Sequence, residues 1–296
     1  MLTFHHITKL TTNMASLQDQ WEWEISSKNT AVVDSKEFWS YRYLLSYLVK
    51  RDTLLINQQT ILGPFWLVLQ PLLTLIVYYF VFSKLIGIST NTIPPILFYY
   101  SGIILWNLFS DCFIGTASTF RDHNHIFSKV YIPKLIIPIS IVLTHVFRFL
   151  IQFLLLALLC IFYILFEDYH VLKGWHVLLF PLAVLLVAIS GLGLGLMCST
   201  LAAKYKDLFH LIGILIRLQM FLTPVFYPVN SLNKDVHWLI HLNPLTSFFE
   251  LFRYAVFGEV QTTFHLILIN SLLILTFLLL AVRRFLVQGN KFLDII

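Results

Sequence analysis

The stretch Arg51–Phe82, RDTLLINQQTILGPFWLVLQPLLTLIVYYFVF, joins a half-polar helical pattern to a run apolar enough to enter a bilayer. The two patterns meet at Gly63-Pro64. Pro64 suits the first turn of the second helix, because its missing N–H would be unpaired there anyway. The stretch therefore predicts a helix that lies on a membrane surface and leads directly into one that crosses the membrane.

The composition fits an integral membrane protein. Of the 296 residues 58% are hydrophobic and 12% are charged, whereas soluble domains carry about a quarter charged residues. The net charge of +5 does not indicate a nucleic-acid surface, because Lys and Arg sit in short segments between apolar runs. Three widely spaced cysteines within apolar runs predict neither a zinc site nor a disulfide framework.

The apolar runs predict an all-α integral membrane protein with six spans, since about 20 residues cross a hydrocarbon core. An amphipathic interface helix is predicted over 34–62, because one stripe of it is polar. Two apolar pieces between spans 5 and 6, Trp238–Leu242 and Leu245–Phe257, are each too short to cross and predict a re-entrant helical pair or an interfacial cap. The predicted six-span domain covers 63–287, with spans at about 64–83, 96–120, 135–166, 177–201, 208–226 and 264–281.

The basic residues predict the orientation. Six spans place the two tails, 1–33 and 288–296, on one side, together with the polar loops Arg121–Lys134 and Ala202–Asp207. That side carries fourteen Lys and Arg residues against four on the other. The positive-inside rule therefore predicts cytoplasmic termini and loops. The polar N-terminal region has no signal-peptide h-region, so the first span is expected to act as the targeting signal.

Little in the chain predicts catalysis. No G-x-x-x-x-G-K-[ST] phosphate loop occurs, and His123-x-His125 has no acidic or cysteine partner at metal-ligand spacing. We therefore expect no enzyme, no metal site and no cofactor in this chain. The G-x-G-x-G at Gly191–Gly195 lacks the strand of a nucleotide fingerprint and predicts close helix packing instead.

Three charged residues lie within predicted spans: Asp111, Arg148 and Arg217. Each would cost about 2.5–3.5 kcal/mol at the bilayer centre, so a partner or water is expected. Asp111 and Arg217 lie at matching depths of about 13–15 Å and form the predicted pair, within one chain or across a dimer. The alternative is that Arg217 faces a wet, anionic cargo path.

Pro71 lies inside the first span, where it leaves a carbonyl unpaired one turn earlier. Such breaks are tolerated in membranes when a neighbour satisfies the carbonyl, and the adjacent Gln70 is the candidate. A kink used only for packing is the alternative. Gly63, Pro64 and Pro71 together form the predicted hinge.

Five segments fall in the order and spacing of a known family. They are LFYYSGIILWNLFSDCF, IFSKVYIPKLIIPIS, TLAAKYKDLFHLIG, FLTPVFYPV and HLNPLTSFFELFR. Together with the opening stretch, they make the chain resemble ABC-2 type permeases that export O-antigen, capsule or teichoic acid polysaccharides. The resemblance covers about Phe38–Phe285. The chain departs from this resemblance in two places. It has Lys206-Asp207 where family members often have Arg-Asp, and its N-terminal tail is unusually long.

The resemblance implies a homodimeric permease in the cytoplasmic (inner) membrane, with two separate ATP-binding subunits that hold ATP and Mg²⁺. It also implies a channel lined by spans 1 and 5 for a lipid-linked, undecaprenyl-type glycan. The channel-lining candidates are Trp66, Tyr78, Tyr79, Phe221 and Phe226. The ATPase-coupling candidates are Arg51, Asp52, Arg121, His123, Asn124, Phe127, Lys129, Lys206 and Asp207.

Two alternatives stay open. One is an ABC-2 exporter of drugs or other small hydrophobic molecules, against which the GPFW…QP opening and the aromatic-rich spans favour a polymer. The other is a membrane-embedded glycosyl- or acyltransferase, which would need an acid or a His facing a lipid-head cavity. The few acids available on the outer side are Glu167, Asp168, Asp235, Glu250 and Glu259.

Overall fold

The computed structural model describes residues 35–57, 61–90, 92–127, 132–167, 169, 174–231, 238, 240–258 and 264–293, and every regular element in them is helical. The helices of at least four residues are α1 (Ser35–Ser40), α2 (Arg42–Asn57), α3 (Trp66–Tyr78), α4 (Pro95–Ala117), α5 (Thr119–Asp122), α6 (Asn124–Phe127), α7 (Ile136–Phe166), α8 (Phe180–Lys204), α9 (Lys206–Gln219), α10 (Pro244–Phe257) and α11 (Phe264–Leu293). A 3₁₀ turn at Gly63–Phe65 precedes α3, a π-helical segment at Tyr79–Leu85 continues it, and a 3₁₀ turn at Trp175–Leu179 precedes α8.

Five helices in the described residues are long and apolar enough to cross a membrane. They cover Gly63–Leu85, Pro95–Ala117, Ile136–Phe166, Trp175–Lys204 and Phe264–Gly289. They correspond in order to the first four predicted spans and the sixth, so the integral membrane character and the helical class are confirmed.

The segment predicted as the fifth span differs. α9 has 14 residues, about 21 Å, which is shorter than a hydrocarbon core of about 30 Å. Turns follow it because Pro224 lacks a backbone N–H and disfavours a helical residue before it. The hydroxyl groups of Thr223 and Tyr227 donate to the backbone carbonyls of Gln219 and Phe221 at 3.0 and 2.9 Å. They thereby provide hydrogen bonds to carbonyls at the point where the helix ends.

α4 is the centre of the bundle. In the most apolar 18-residue stretch of this span 78% of the residues are buried, compared with 17–44% in the corresponding stretches of the other four spans. α8 approaches it most closely through two glycines. A Cβ on Gly191 would lie 2.8 Å from the carbonyl oxygen of Phe109, and one on Gly195 would lie 2.5 Å from Cβ of Thr116. Gly193 faces Phe277 of α11 instead, so the predicted close packing of this glycine run is confirmed on two faces.

α10 is the second piece of the predicted re-entrant pair. It is buried along most of its length, and Asn243 caps it by accepting from the backbone N–H of Leu245 at 3.1 Å. Asn270 of α11 donates to Ser247 at 2.7 Å, and the guanidinium of Arg253 lies 3.7 Å from the ring centroid of Phe98. The first piece is a helical turn at residues 238 and 240–241; residue 239 lies outside the described residues.

The predicted interface helix is divided into α1 and α2 by a turn at Tyr41, and α2 ends at Asn57; residues 58–60 are outside the described part. Leu48 of α2 is buried, whereas Tyr43 and Tyr47 are exposed. α2 packs against α7.

The two polar loops meet at one end of the bundle, here called the loop end. A small core there contains Phe120, Leu135, Leu196, Ala281 and Phe285. Its centre is the stack of Phe120 on Phe285, with ring centroids 4.9 Å apart. α10 packs instead against the turn that precedes α8, so it caps the opposite end.

The packing of α8 on α4 predicts a contrast between two glycines. Gly195→Ala should lower the free energy of unfolding by about 1–3 kcal/mol, because the new methyl group meets the backbone oxygen of Phe113 at 2.8 Å. Gly213→Ala in α9 is the control: no atom lies within 4 Å of the added Cβ, and Ala favours a helix by up to about 1 kcal/mol. Thermal unfolding in detergent measures both. Equal midpoints would contradict this packing.

Candidate functional site

An aromatic cluster joins the first span to the segment after α9. Tyr78 meets Phe226 edge-to-face with ring centroids 4.6 Å apart, and Phe82 stacks on Phe226 at 4.7 Å. Phe221 lies 5.7 Å from Phe226. Three of the five channel-lining candidates are thus brought together. Phe82 was missed, although it follows Tyr78 by four residues, the spacing of neighbours on one helix face.

The other two channel-lining candidates lie apart from the cluster. Trp66 is twelve residues from Tyr78 along the helix, about 18 Å, and is 48% exposed. The ring of Tyr79 is approached by the ammonium group of Lys84 at 5.7 Å. Phe221 is 61% exposed and Phe226 only 2%, so the cluster presents Phe221 outward and uses Phe226 as its buried base.

α3 and α9 each bury one narrow face. On α3, Leu67, Pro71 and Leu75 point inward at four-residue spacing, and on α9 Ile212 and Ile216 do so. Eight other apolar side chains on these segments are exposed in the single chain. These are Leu73, Ile76, Val77 and Phe80 in the first span and Leu211, Ile214, Leu215 and Leu218 in α9.

The predicted hinge is a backbone feature at Gly63. Its φ of +51° lies in the left-handed region, and nothing lies within 4 Å of an added Cβ. A residue with a side chain would therefore be strained by its backbone and not by a clash. Pro64 follows in the 3₁₀ turn, as the sequence predicts for a first helical turn.

The carbonyl that Pro71 leaves without its helical hydrogen bond is bonded by a side chain of another helix. Nε2 of Gln152 in α7 donates to the carbonyl of Leu67, four residues before Pro71, at 3.2 Å. The expectation of a satisfied carbonyl is met, but Gln70 does not provide the donor because its side chain is on the exposed face. Gln152 lies 81 positions further along the chain, and no local pattern relates it to Pro71.

The charges within the spans also pair differently from the prediction. A carboxylate oxygen of Asp111 lies 3.7 Å from Nη1 of Arg148 and 3.8 Å from Nδ1 of His145. Arg217 is exposed on α9. Within one chain Asp111 is thus near Arg148 instead of Arg217, because α4 packs against α7 along this stretch, and the Asp111–Arg217 pair across a dimer stays a prediction. His145 was missed, although it precedes Arg148 by one helical turn.

Among the coupling candidates, two Arg-Asp neighbours form ion pairs. Arg51 and Asp52 are 2.7 Å apart in α2, and Arg121 and Asp122 are 2.7 Å apart in α5. Burial acts to raise the pKa of Asp122, but hydrogen bonds from Arg121 and Ser118 outweigh it and hold this pKa below its usual value. The guanidinium of Arg121 also lies 3.7 Å from the ring centroid of Phe209, which joins the two polar loops.

The other described coupling candidates lie at the end of α5, on α6 and at the start of α9. Phe127 packs on Phe120 at 5.4 Å between ring centroids. His123 and Asn124 lie at the junction of α5 and α6, and Lys206 and Asp207 begin α9, where an acid is favoured by the helix dipole. Lys129 lies outside the described residues.

The structure places two of the five candidate acids of the transferase alternative. Glu250 is only 4% exposed inside α10, and Glu167 is exposed at the end of α7. Asp168, Asp235 and Glu259 lie outside the described residues. No group of three metal-ligating side chains occurs among the residues that the structure describes.

Comparison with known proteins identifies the family. The profile of the ABC-2 type transporter family matches residues 43–257. The O-antigen export system permease protein RfbA of Myxococcus xanthus is 29% identical over 226 residues, which cover 76% of this chain and 84% of the relative. The protein of the same name from Klebsiella pneumoniae is 24% identical over 204 residues, which cover 69% of this chain and 76% of the relative.

The contact between Gln152 and the Leu67 carbonyl predicts a coupled pair of substitutions. Gln152→Leu should lower the free energy of unfolding by about 1 kcal/mol, because it leaves that carbonyl without a donor. In a Pro71→Ala background the loss should be close to zero, since the new N–H of residue 71 can bond the same oxygen. Thermal unfolding of the four proteins gives the coupling. Additive losses would contradict it, and Gln70→Leu, on the exposed face, is the control.

Proposed function

This chain belongs to the ABC-2 type transporter family, and on that premise we propose that it is the transmembrane subunit of an ATP-driven exporter of a polysaccharide. The observation that carries the proposal is the family match over residues 43–257, together with relatives named as O-antigen export permeases. The cargo is a glycan on an undecaprenyl-type lipid, moved across the cytoplasmic (inner) membrane.

The transport path is formed between the two subunits of a homodimer. We place the contact with the second copy on α3 and α9. The first span is the least buried of the five, at 17% of its most apolar stretch, and α9 turns Ile212 and Ile216 towards its own bundle, so the other faces of both helices are available for packing. Trp66, Tyr79 and Phe221 keep exposed or half-buried rings on these segments. Aromatic faces stack on sugar rings without charge and so let a polymer slide.

Two ATP-binding subunits dock at the loop end, which faces the cytoplasm with both termini. The excess of Lys and Arg on this side supports the orientation. Arg121 lies in the coupling loop and Phe209 lies in α9. When the ATP-binding subunits displace the loop, this contact transmits the displacement to α9, the helix that lines the path. The same movement of the ATP-binding subunits displaces α2, and this displacement reaches α3 through Gly63-Pro64.

Export of small hydrophobic molecules is the competing function within the same family. The exposed ring of Phe221, which rests on the buried Phe226, favours a polymer, since an exposed aromatic face can stack on sugar rings. The cargo is therefore the property to test.

Deletion of the gene in its host tests the cargo. Surface polysaccharide should disappear and lipid-linked glycan should accumulate on the cytoplasmic side, because synthesis continues without export. Extraction of undecaprenyl-linked glycan and surface staining measure the two pools, and a plasmid copy of the gene should restore both. Unchanged surface glycan together with increased drug sensitivity would favour the small-molecule exporter.

The hinge makes a separate prediction. Replacing Gly63 and Pro64 with Ala-Ala should leave membrane insertion and ATP hydrolysis in place but lower export by at least about tenfold, because the positive φ is lost. Gly87→Ala is the matched control: its φ is +76°, its Cβ site is also open, and it follows the other end of the first span. Wild-type export in the Ala-Ala variant would show that Gly63-Pro64 does not couple the movement of α2 to α3.

A further inference from the structure

A groove of about 590 Å³ runs between α2 and α7. Ligand pockets measure about 300–1,000 Å³, so the groove has the size of a binding site. Its walls are mainly apolar. They are formed by Leu45, Val49 and Leu54 of α2 and by Leu143, Val146, Phe147 and Leu150 of α7.

The rim of the groove is cationic. Arg42 and Lys50 line it from the exposed face of α2, with Ser46 between them, and no acidic side chain lines it. The guanidinium of Arg42 lies 4.7 Å from the ring centroid of Tyr43, which fixes it at one end of the groove. An apolar cleft with two basic residues at its edge is complementary to an amphiphile that has a negative head.

The length of α7 places the groove at the level of the membrane surface. α7 has 31 residues, about 46 Å, which exceeds a hydrocarbon core by about 16 Å. The 20 residues that follow Val146 in α7 span about 30 Å, so the core begins where α2 meets α7. Tyr43 and Tyr47 are 73% and 63% exposed on α2, as expected for aromatic side chains among lipid head groups.

We propose that this groove binds an anionic phospholipid of the cytoplasmic leaflet, with its negative head at the edge that carries Arg42 and Lys50 and one acyl chain against Phe147 and Leu150. The lipid fills the gap that the contact of α2 with α7 leaves open. It thereby holds the helix that leads into Gly63-Pro64 against the bundle.

A resident phospholipid fits the groove better than the transported glycan lipid does. No residue of α3 or α9 lines the groove, so it is separate from the segments that form the proposed path. The polar edge of the groove carries the two cations Arg42 and Lys50, which suit a single charged head, whereas its aromatic lining residue, Phe147, lies on the apolar wall formed by α7.

Native mass spectrometry of the full-length chain in detergent tests the proposal with phosphatidylglycerol and phosphatidylcholine of the same acyl chains. Phosphatidylglycerol should bind in preference. The double variant Arg42→Gln/Lys50→Gln should bind it about 25-fold more weakly, since each basic residue near an anionic head contributes about fivefold. Leu150→Trp keeps both charges, fills the apolar wall and should also weaken binding.

The matched control removes two exposed cations on the same side of the membrane but outside the groove, Lys204→Gln/Arg283→Gln, and should bind like wild type. Equal affinity for the two phospholipids, or equal losses in the groove and control variants, overturns the proposal. Displacement of phosphatidylglycerol by an equal amount of undecaprenyl phosphate also overturns it, because the groove would then belong to the cargo's carrier.

Discussion

The close approach of α8 to α4 is the contact on which the rest of the bundle depends. Gly191 and Gly195 remove the side chains that would separate the two helices, and α4 then becomes the buried axis around which the others pack. In a bilayer, where burial of apolar surface gives no driving force between helices, such dispersion contacts and interhelical hydrogen bonds are what remains. α3 and α9 touch this axis with one narrow face each, and so keep apolar surface for another contact.

The same bundle brings distant parts of the sequence to each end. At the loop end, Arg121 and Phe209 join two loops that are some eighty residues apart, and Phe120 stacks on Phe285 of the last helix. At the opposite end, α10 is held by Asn243 and by the contact of Ser247 with Asn270. The loop end thus carries the two polar loops, and the opposite end is covered by α10, which hydrogen bonds hold in place. That arrangement suits a permease that is driven from one side and opens towards the other.

Much of the fold follows from the sequence, because a bilayer imposes simple rules on length and hydropathy. Four of the first five spans, the last span, the glycine packing and the Pro64 turn were all visible in local patterns. The pairing of side chains between helices was not. Gln152 and Leu67, or Asp111 and Arg148, meet only because α7 packs against both α3 and α4, and this neighbourhood has no local signature. The early end of α9 was missed because its apolar run continues past Gln219 through the turns before and after Pro224.

ATP-driven movement of a lipid-linked glycan in proteoliposomes tests the central claim most directly. The permease is reconstituted with its ATP-binding partner, and a glycosidase outside the vesicles reports glycan that has crossed. If the chain is a polysaccharide exporter, digestible glycan should appear only with ATP and only when both subunits are present. ATP hydrolysis without any movement of glycan, in vesicles that do transport a small hydrophobic molecule, would contradict the claim.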